Sequence, residues 1–138
     1  MDLHYYVRTY DDTLPMSAVG TIQGWFASKP RITQIVPEHR RFEESEVHPG
    51  AREDSVVFEM ACTAIAKAIA RYRADVDVTR VWPAKIALEN FRVKLYRRES
   101  GHFNRHVDVL DYASARRYLT AIWYLTDAIQ MDETRNDN

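Results

Sequence analysis

The sequence predicts an α+β domain in which helices come first and an antiparallel sheet follows, closing as a sandwich or barrel. Three observations carry this. "EDSVVFEMACTAIAKAIARYRADV" sets Val57, Met60, Ala61, Ala64, Ile65, Ala68, Ile69 and Tyr72 on one stripe at helical spacing. After "DVDVTRVWP" the apolar pattern changes to period two and stays there through three segments. The 138 residues contain no repeat, low-complexity segment or domain boundary, so one domain accounts for them.

At the N-terminus, Leu3, Tyr5 and Val7 alternate with His4, Tyr6 and Arg8, which predicts a strand over "DLHYYVRTY". Pro15 suits a first helical position after a Thr or Asp cap, and Met16, Val19, Ile22, Trp25 and Phe26 then recur at helical spacing. Gly20 and Gly24 weaken this helix, so it is expected to be short or tightly packed. "RITQIV" reads as a brief strand. Residues 37–54, "PEHRRFEESEVHPGARED", mix Pro, Gly and charge without an apolar period; they read as a long loop, a charged rim that could border a site. The long helix follows. Beyond it "ENFRVKLYRR", "GHFNRHVDVL" and "RRYLTAIWYL" read as successive strands, joined at "RESG" and "DYASA". The single domain 1–138 thus divides into a helical support region with an N-terminal strand (1–80), core strands (81–127) and a polar tail (128–138).

Bulk composition removes several function classes. The formal net charge is −1, so no basic excess points to nucleic acid as partner. The longest apolar runs are too short to cross a bilayer, and "MDLHYYVRTY" lacks an apolar signal core; a cytoplasmic protein is expected. Cys62 is the single cysteine, which excludes an internal disulfide and a cysteine-based zinc cluster. On its alanine-rich helix it reads as a small core residue rather than a nucleophile.

The chemistry concentrates in "GHFNRHVDVL". On a strand, His106 and Asp108 share a face about 7 Å apart along the backbone, and their side chains can converge on one ion. An imidazole and a carboxylate suit iron(II), for which two histidines and one carboxylate leave three positions open. A bare His-x-Asp pair also arises by chance as two surface polar residues. His102 and His106 would share a helix face as in some zinc sites, but Gly101 and Asn104 disfavour that helix. On a strand His102 stands roughly 13 Å from His106, too far to join it. His4, His39 and His48 have no distinguishing spacing.

With its neighbours the stretch resembles the iron(II)- and 2-oxoglutarate-dependent oxygenases, in their prolyl 4-hydroxylase-like branch. The resemblance runs over about residues 91–127 on Tyr96, Gly101, Phe103, His106, Asp108, Arg117, Thr120, Trp123, Tyr124, Leu125 and Asp127. It implies a double-stranded β-helix (jelly roll), with His106 and Asp108 as iron ligands. It also implies that Tyr96 and Tyr124 donate hydroxyls to 2-oxoglutarate, with Thr120 a weaker candidate. Arg117 is expected to be a structural ion-pair or turn residue. The implied reaction hydroxylates a protein side chain or small molecule while 2-oxoglutarate becomes succinate and carbon dioxide, with ascorbate as a reductant.

The sequence departs from the family pattern downstream. No histidine follows His106 to serve as a second imidazole ligand, and the family's Arg or Lys for the far carboxylate of 2-oxoglutarate is also missing, since Arg135 sits in a polar tail without a partnering histidine. The jelly roll is therefore expected to be incomplete at the C-terminus, the chain to be a piece of a longer frame, and its activity to be weak or absent. Its open sheet would be covered by a second copy or a partner chain. Two alternatives from other classes stand beside the hydroxylase: a non-catalytic interaction module on the oxygenase scaffold, and a simple metal-binding protein.

Overall fold

The computed structural model describes residues 3–106, 108, 111, 112 and 114–126. Asp127, Arg135 and the tail 128–138 lie outside them. The fold is α+β, two helices and a four-stranded antiparallel sheet.

Helix α1 spans Met16–Ser28 and buries Ala18, Ile22, Trp25 and Phe26. Pro15 sits one position earlier than expected, as the N-cap, where its carbonyl accepts from the amides of Ala18 and Val19. Met16 is 82% exposed and is not on the buried face. Neither Gly20 nor Gly24 shortens the helix. Helix α2 spans Ser55–Asp75, and Val57, Ala61, Ala64 and Tyr72 of its predicted stripe are buried. Among the described residues, no helix is long and apolar enough to cross a membrane.

Strand β1 (Ile32–Val36) and strand β2 (Arg40–Glu46) form a hairpin, with Ile32 opposite Glu44 and Val36 opposite Arg40. Strand β3 (Arg92–Leu95) pairs with the later part of β2, Glu43 opposite Leu95. Strand β4 (His102–Phe103) pairs with its start, Arg40 opposite Phe103. Since β1 already occupies the other edge of β2, β3 and β4 lie end to end along one edge. They behave as one strand interrupted by the excursion 97–101, so "RESG" is a turn that returns the chain to the same partner. Gly101 closes this excursion: its amide donates to the Arg97 carbonyl at 2.7 Å, and a Cβ there would meet the Tyr96 and Arg97 backbone at 2.5–2.7 Å.

The register sorts side chains between two faces, because residues two apart share a face. Val93 and Leu95 pack with Val47, Val57 and Leu125 against Ile22, Trp25 and Phe26 of α1. Burying each large side chain there contributes roughly 1.5–3 kcal/mol. The opposite face carries Phe42 and Glu44 from β2, Lys94 and Tyr96 from β3, and Phe103 from β4.

Four expectations are corrected. Residues Leu3–Tyr6 form a 3₁₀ turn, not a strand; the segment is held by side chains, the Tyr72 hydroxyl donating to the Tyr6 carbonyl and the Asp77 amide to the Tyr5 hydroxyl. The expected loop 37–54 contains β2, the central strand, so the sheet begins before α2 rather than after it. Of the strand expected over 101–110, the described residues form only His102–Phe103. The segment 116–125 is not a strand: Ser114–Arg116 is a 3₁₀ turn, and 117–124 run without ladder pairing. Its alternation survives locally, Trp123 and Leu125 half-buried and Ile122 and Tyr124 exposed. The Trp123 indole donates to the Thr13 hydroxyl at 3.2 Å, and the Gln23 amide to the Leu125 carbonyl at 2.6 Å.

Candidate functional site

The site begins at the β1–β2 turn. Glu38 adopts a left-handed φ of 63°, turning its carbonyl and that of His39 toward the chain leaving β4. The Asn104 side chain donates to the Glu38 carbonyl, and its amide donates to the His39 carbonyl at 2.9 Å. Asn104 in turn presents its own carbonyl 2.9 Å from Nδ1 of His106. The imidazole stacks on Phe103, centroids 3.9 Å apart and planes 18° from parallel. Phe103 packs on the buried Phe42 at 5.5 Å, and Tyr96 packs on the same ring at 5.3 Å.

The sequence-predicted residues His106, Asp108 and Thr120 meet. Nε2 of His106 lies 3.3 Å from Oδ1 of Asp108, and the Thr120 hydroxyl donates to Oδ2 at 2.7 Å. The Thr120 hydrogen bond, opposed by partial burial and helped by the charges of His106 and Arg117, holds the Asp108 carboxyl below its ordinary range. Although neither residue lies on a strand as expected, their side chains still converge, because the Asn104 and Thr120 contacts replace strand geometry.

Tyr96 shares a sheet face with Phe42 and Phe103. Burial, with the negative charge of Glu44 and the neighbouring Tyr124, pushes its hydroxyl above the ordinary range. Tyr124 is 78% exposed, near Tyr96 but not enclosed with it. Arg117 forks onto Glu89 at 2.8 and 3.1 Å and donates to the Asp108 backbone carbonyl at 2.7 Å. It is the ion-pair residue the sequence suggested, and it pins the segment after Asp108. His102 points to the opposite face from Phe103 and takes no part. His39 and His48 also stand apart: His39 contributes its backbone carbonyl, and His48 its amide to Asp54.

Among the described residues, no group of three His, Cys, Asp or Glu is gathered to hold a metal. His106 and Asp108 form a contacting pair without a third such residue among those described. Sequence reasoning missed Phe42, Asn104 and Lys94. Lys94 was the legible one, since it precedes Tyr96 by two in "RVKLY" and must share its face. Cys62 is half-buried on α2, at a groove of about 520 Å³ that Ile65, Ile69, Arg73, Ile86 and Leu88 also line.

No family model matches the chain, and neither curated proteins nor solved structures show significant similarity to it.

Proposed function

We propose that this chain is of the iron(II)- and 2-oxoglutarate-dependent oxygenase type, prolyl 4-hydroxylase-like, acting in the cytoplasm on a protein side chain or a small molecule. In this reading the four strands are part of a double-stranded β-helix, and His106 and Asp108 are iron ligands. One observation carries it. Nδ1 of His106 faces a carbonyl, which can only accept, so Nδ1 carries a proton, and in the neutral ring Nε2 presents a lone pair. That lone pair faces a carboxylate oxygen at 3.3 Å. Two acceptors at this distance need a proton or a cation between them. At metal–ligand lengths of about 2.1 Å, two adjacent ligands of an octahedral ion stand about 3 Å apart, so the pair suits a metal.

When bound, iron(II) with 2-oxoglutarate and oxygen supplies C–H hydroxylation coupled to release of succinate and carbon dioxide. The residues divide the supporting work. Asn104 fixes the imidazole tautomer, and Thr120 orients the carboxylate. Phe42 and Phe103 keep water from one side, while Tyr96 and Tyr124 offer hydroxyls to a cofactor carboxylate. Two protein ligands hold iron less firmly than three, so turnover is expected to be weak. A second reading, an interaction module on the same scaffold, is favoured by Ile122 and Tyr124, which are 70% and 78% exposed. A second copy or a partner chain would cover them, and sedimentation tests the second copy.

The deciding experiment is anaerobic titration of the chain with iron(II) or Mn(II), followed by succinate release with 2-oxoglutarate and ascorbate. Saturable binding that His106→Ala abolishes is expected. Equal metal affinity in wild type and His106→Ala would remove both the oxygenase and the metal-binding readings.

A further inference from the structure

We propose that the break in the sheet beside Phe42 is a receptor for a phosphoryl group, free or at the end of a small ester, with Arg41, Arg97 and Ser100 as its donors. The pocket holds about 230 Å³, and Thr33, Arg41, Glu43, Arg97, Ser100 and Gly101 line it. Thr33, Arg41 and Glu43 lie on the sheet face opposite to Phe42, Phe103 and the His106 ring stacked there. No metal and neither member of the His106–Asp108 pair takes part.

The backbone makes the opening. Strand β2 pairs with β3 from Glu43 to Glu46 and with β4 at Arg40 and Arg41, so among the described residues Phe42 has no ladder partner on that edge. The chain 97–101 swings out there, and the Gly101 amide brings it back to the Arg97 carbonyl at 2.7 Å. Interruptions of a ladder re-aim side chains, and they recur beside functional sites. Here the interruption puts Arg97 and Ser100 of the excursion into one pocket with Arg41 of β2 and Thr33 of β1.

Donors outnumber acceptors in this pocket. Glu43 is the one carboxylate in its lining, and both oxygens are engaged. Oε1 accepts from Nε of Arg97 at 2.9 Å and lies 2.8 Å from Nη2, and Oε2 lies 3.3 Å from Nη1 of Arg31. Glu43 therefore orients Arg97 and leaves its Nη1 unused. Among the described residues, the side chains of Arg41, Thr33 and Ser100 make no hydrogen bond or ion pair. Three guanidinium groups against one carboxylate leave two positive charges over. A phosphomonoester carries about −1.5 to −2 near neutral pH and three strong acceptor oxygens, which matches both the surplus charge and the unused donors. A guanidinium fork suits phosphate oxygens in particular. At roughly 30 Å³ for each water's share of volume, the pocket has room for a phosphoryl group and a short carbon chain.

The test titrates the full ¹⁵N-labelled chain with glycerol 2-phosphate, with chelator present and ionic strength held constant, and follows the Ser100 and Gly101 amide resonances. Saturable shifts of both are expected. Arg41→Gln should bind about tenfold more weakly, and Arg41→Lys should fall between it and wild type, since it keeps the charge and loses the fork. Arg41 is exposed, so both variants should fold as wild type does. Inorganic phosphate separates the two sources. Affinity equal to that of the ester supports the free anion as ligand, and weaker binding supports the ester. Unmoved amides, equal shifts with acetate, or equal affinity in wild type and Arg41→Gln would overturn the proposal. The wild-type amides decide even where a variant fails to fold.

Discussion

Asp54 shows how one residue can join three parts of this fold. It is 2% exposed, and its carboxylate accepts from the Trp25 indole at 2.8 Å, the His48 amide at 2.9 Å and the Lys29 ammonium at 2.6 Å. Burial raises its carboxyl, but these three donors outweigh burial and bring it down to about 2. The folded value lies below the unfolded one, so this stabilisation is complete above about pH 4 and is lost as pH falls toward 2. It amounts to about 1–2 kcal/mol, less than the full shift implies because Lys29 stays close to solvent. Urea unfolding between pH 5 and 2.5 should show the loss in wild type, and a much flatter profile in Asp54→Asn. Asp54→Ala should cost about 3 kcal/mol at pH 7, since it strands an indole N–H, an amide and an ammonium together. A cost below 0.5 kcal/mol, on the order of an ordinary surface substitution, would show that the cluster contributes little. Gly101 is the second such residue. In Gly101→Ala the new methyl meets the Tyr96 and Arg97 backbone at the start of the excursion, and backbone cannot rotate away. About 1–3 kcal/mol of destabilisation is expected. Because β4 follows directly, Mn(II) affinity at His106 should fall as well; a stability loss with unchanged affinity would detach this excursion from the site.

Among the elements, β2 decides the architecture, and it was the one least legible in the sequence. Its charges lie on both faces and are matched by neighbours: Glu43 by Arg31 and Arg97, Glu46 by Arg92 and Asn90, Glu44 by Gln34. Cross-strand pairing of this kind lets a central strand remain polar, and period two then has too few apolar positions to register. The opposite error occurred at 116–125. There the alternation is genuine, but alternation reports which face each side chain takes, not whether a ladder partner exists. Helices α1 and α2 were legible because an apolar stripe needs no partner to be seen in sequence. The His106–Asp108 pair was legible as chemistry, yet its geometry depends on Asn104 and Thr120, whose contacts span a turn and a distant segment. Phe42 tests the importance of β2. It is the floor under Phe103, Tyr96 and Lys94, and Phe42→Ala should cost about 3–5 kcal/mol. Far-UV dichroism should still report α1 and α2 at low denaturant. A loss near 1 kcal/mol would mean the uncovered face collapses readily without its central ring.

At the scale of the whole molecule, the segment around Asp108 to Leu125 ties distant parts together. Thr120 holds Asp108, Arg117 reaches Glu89 ahead of β3, Trp123 reaches Thr13 and the Leu125 carbonyl reaches Gln23 on α1. The described contacts of this segment are few and mostly exposed, so it should be the first part to open under mild denaturation. A metal on His106 and Asp108 would bind only when the segment is closed, because opening moves Thr120 away and frees the carboxylate. Binding therefore couples to folding. At a concentration one hundred times the dissociation constant it adds about 2.7 kcal/mol, a rise of roughly 10 °C in the unfolding midpoint for a chain of this size. The midpoint should rise with Mn(II), return on addition of chelator, and fail to rise in His106→Ala. Thr120→Ala provides the finer test. It leaves both ligands in place and removes only the hydrogen bond that orients Asp108, so the Mn(II)-induced rise should shrink without vanishing. Hydrogen exchange should then show that Mn(II) slows opening of 117–125 in wild type more than in Thr120→Ala. Equal protection in the two proteins would mean the segment closes independently of the site, and the coupling between metal and fold would have to run through β4 instead.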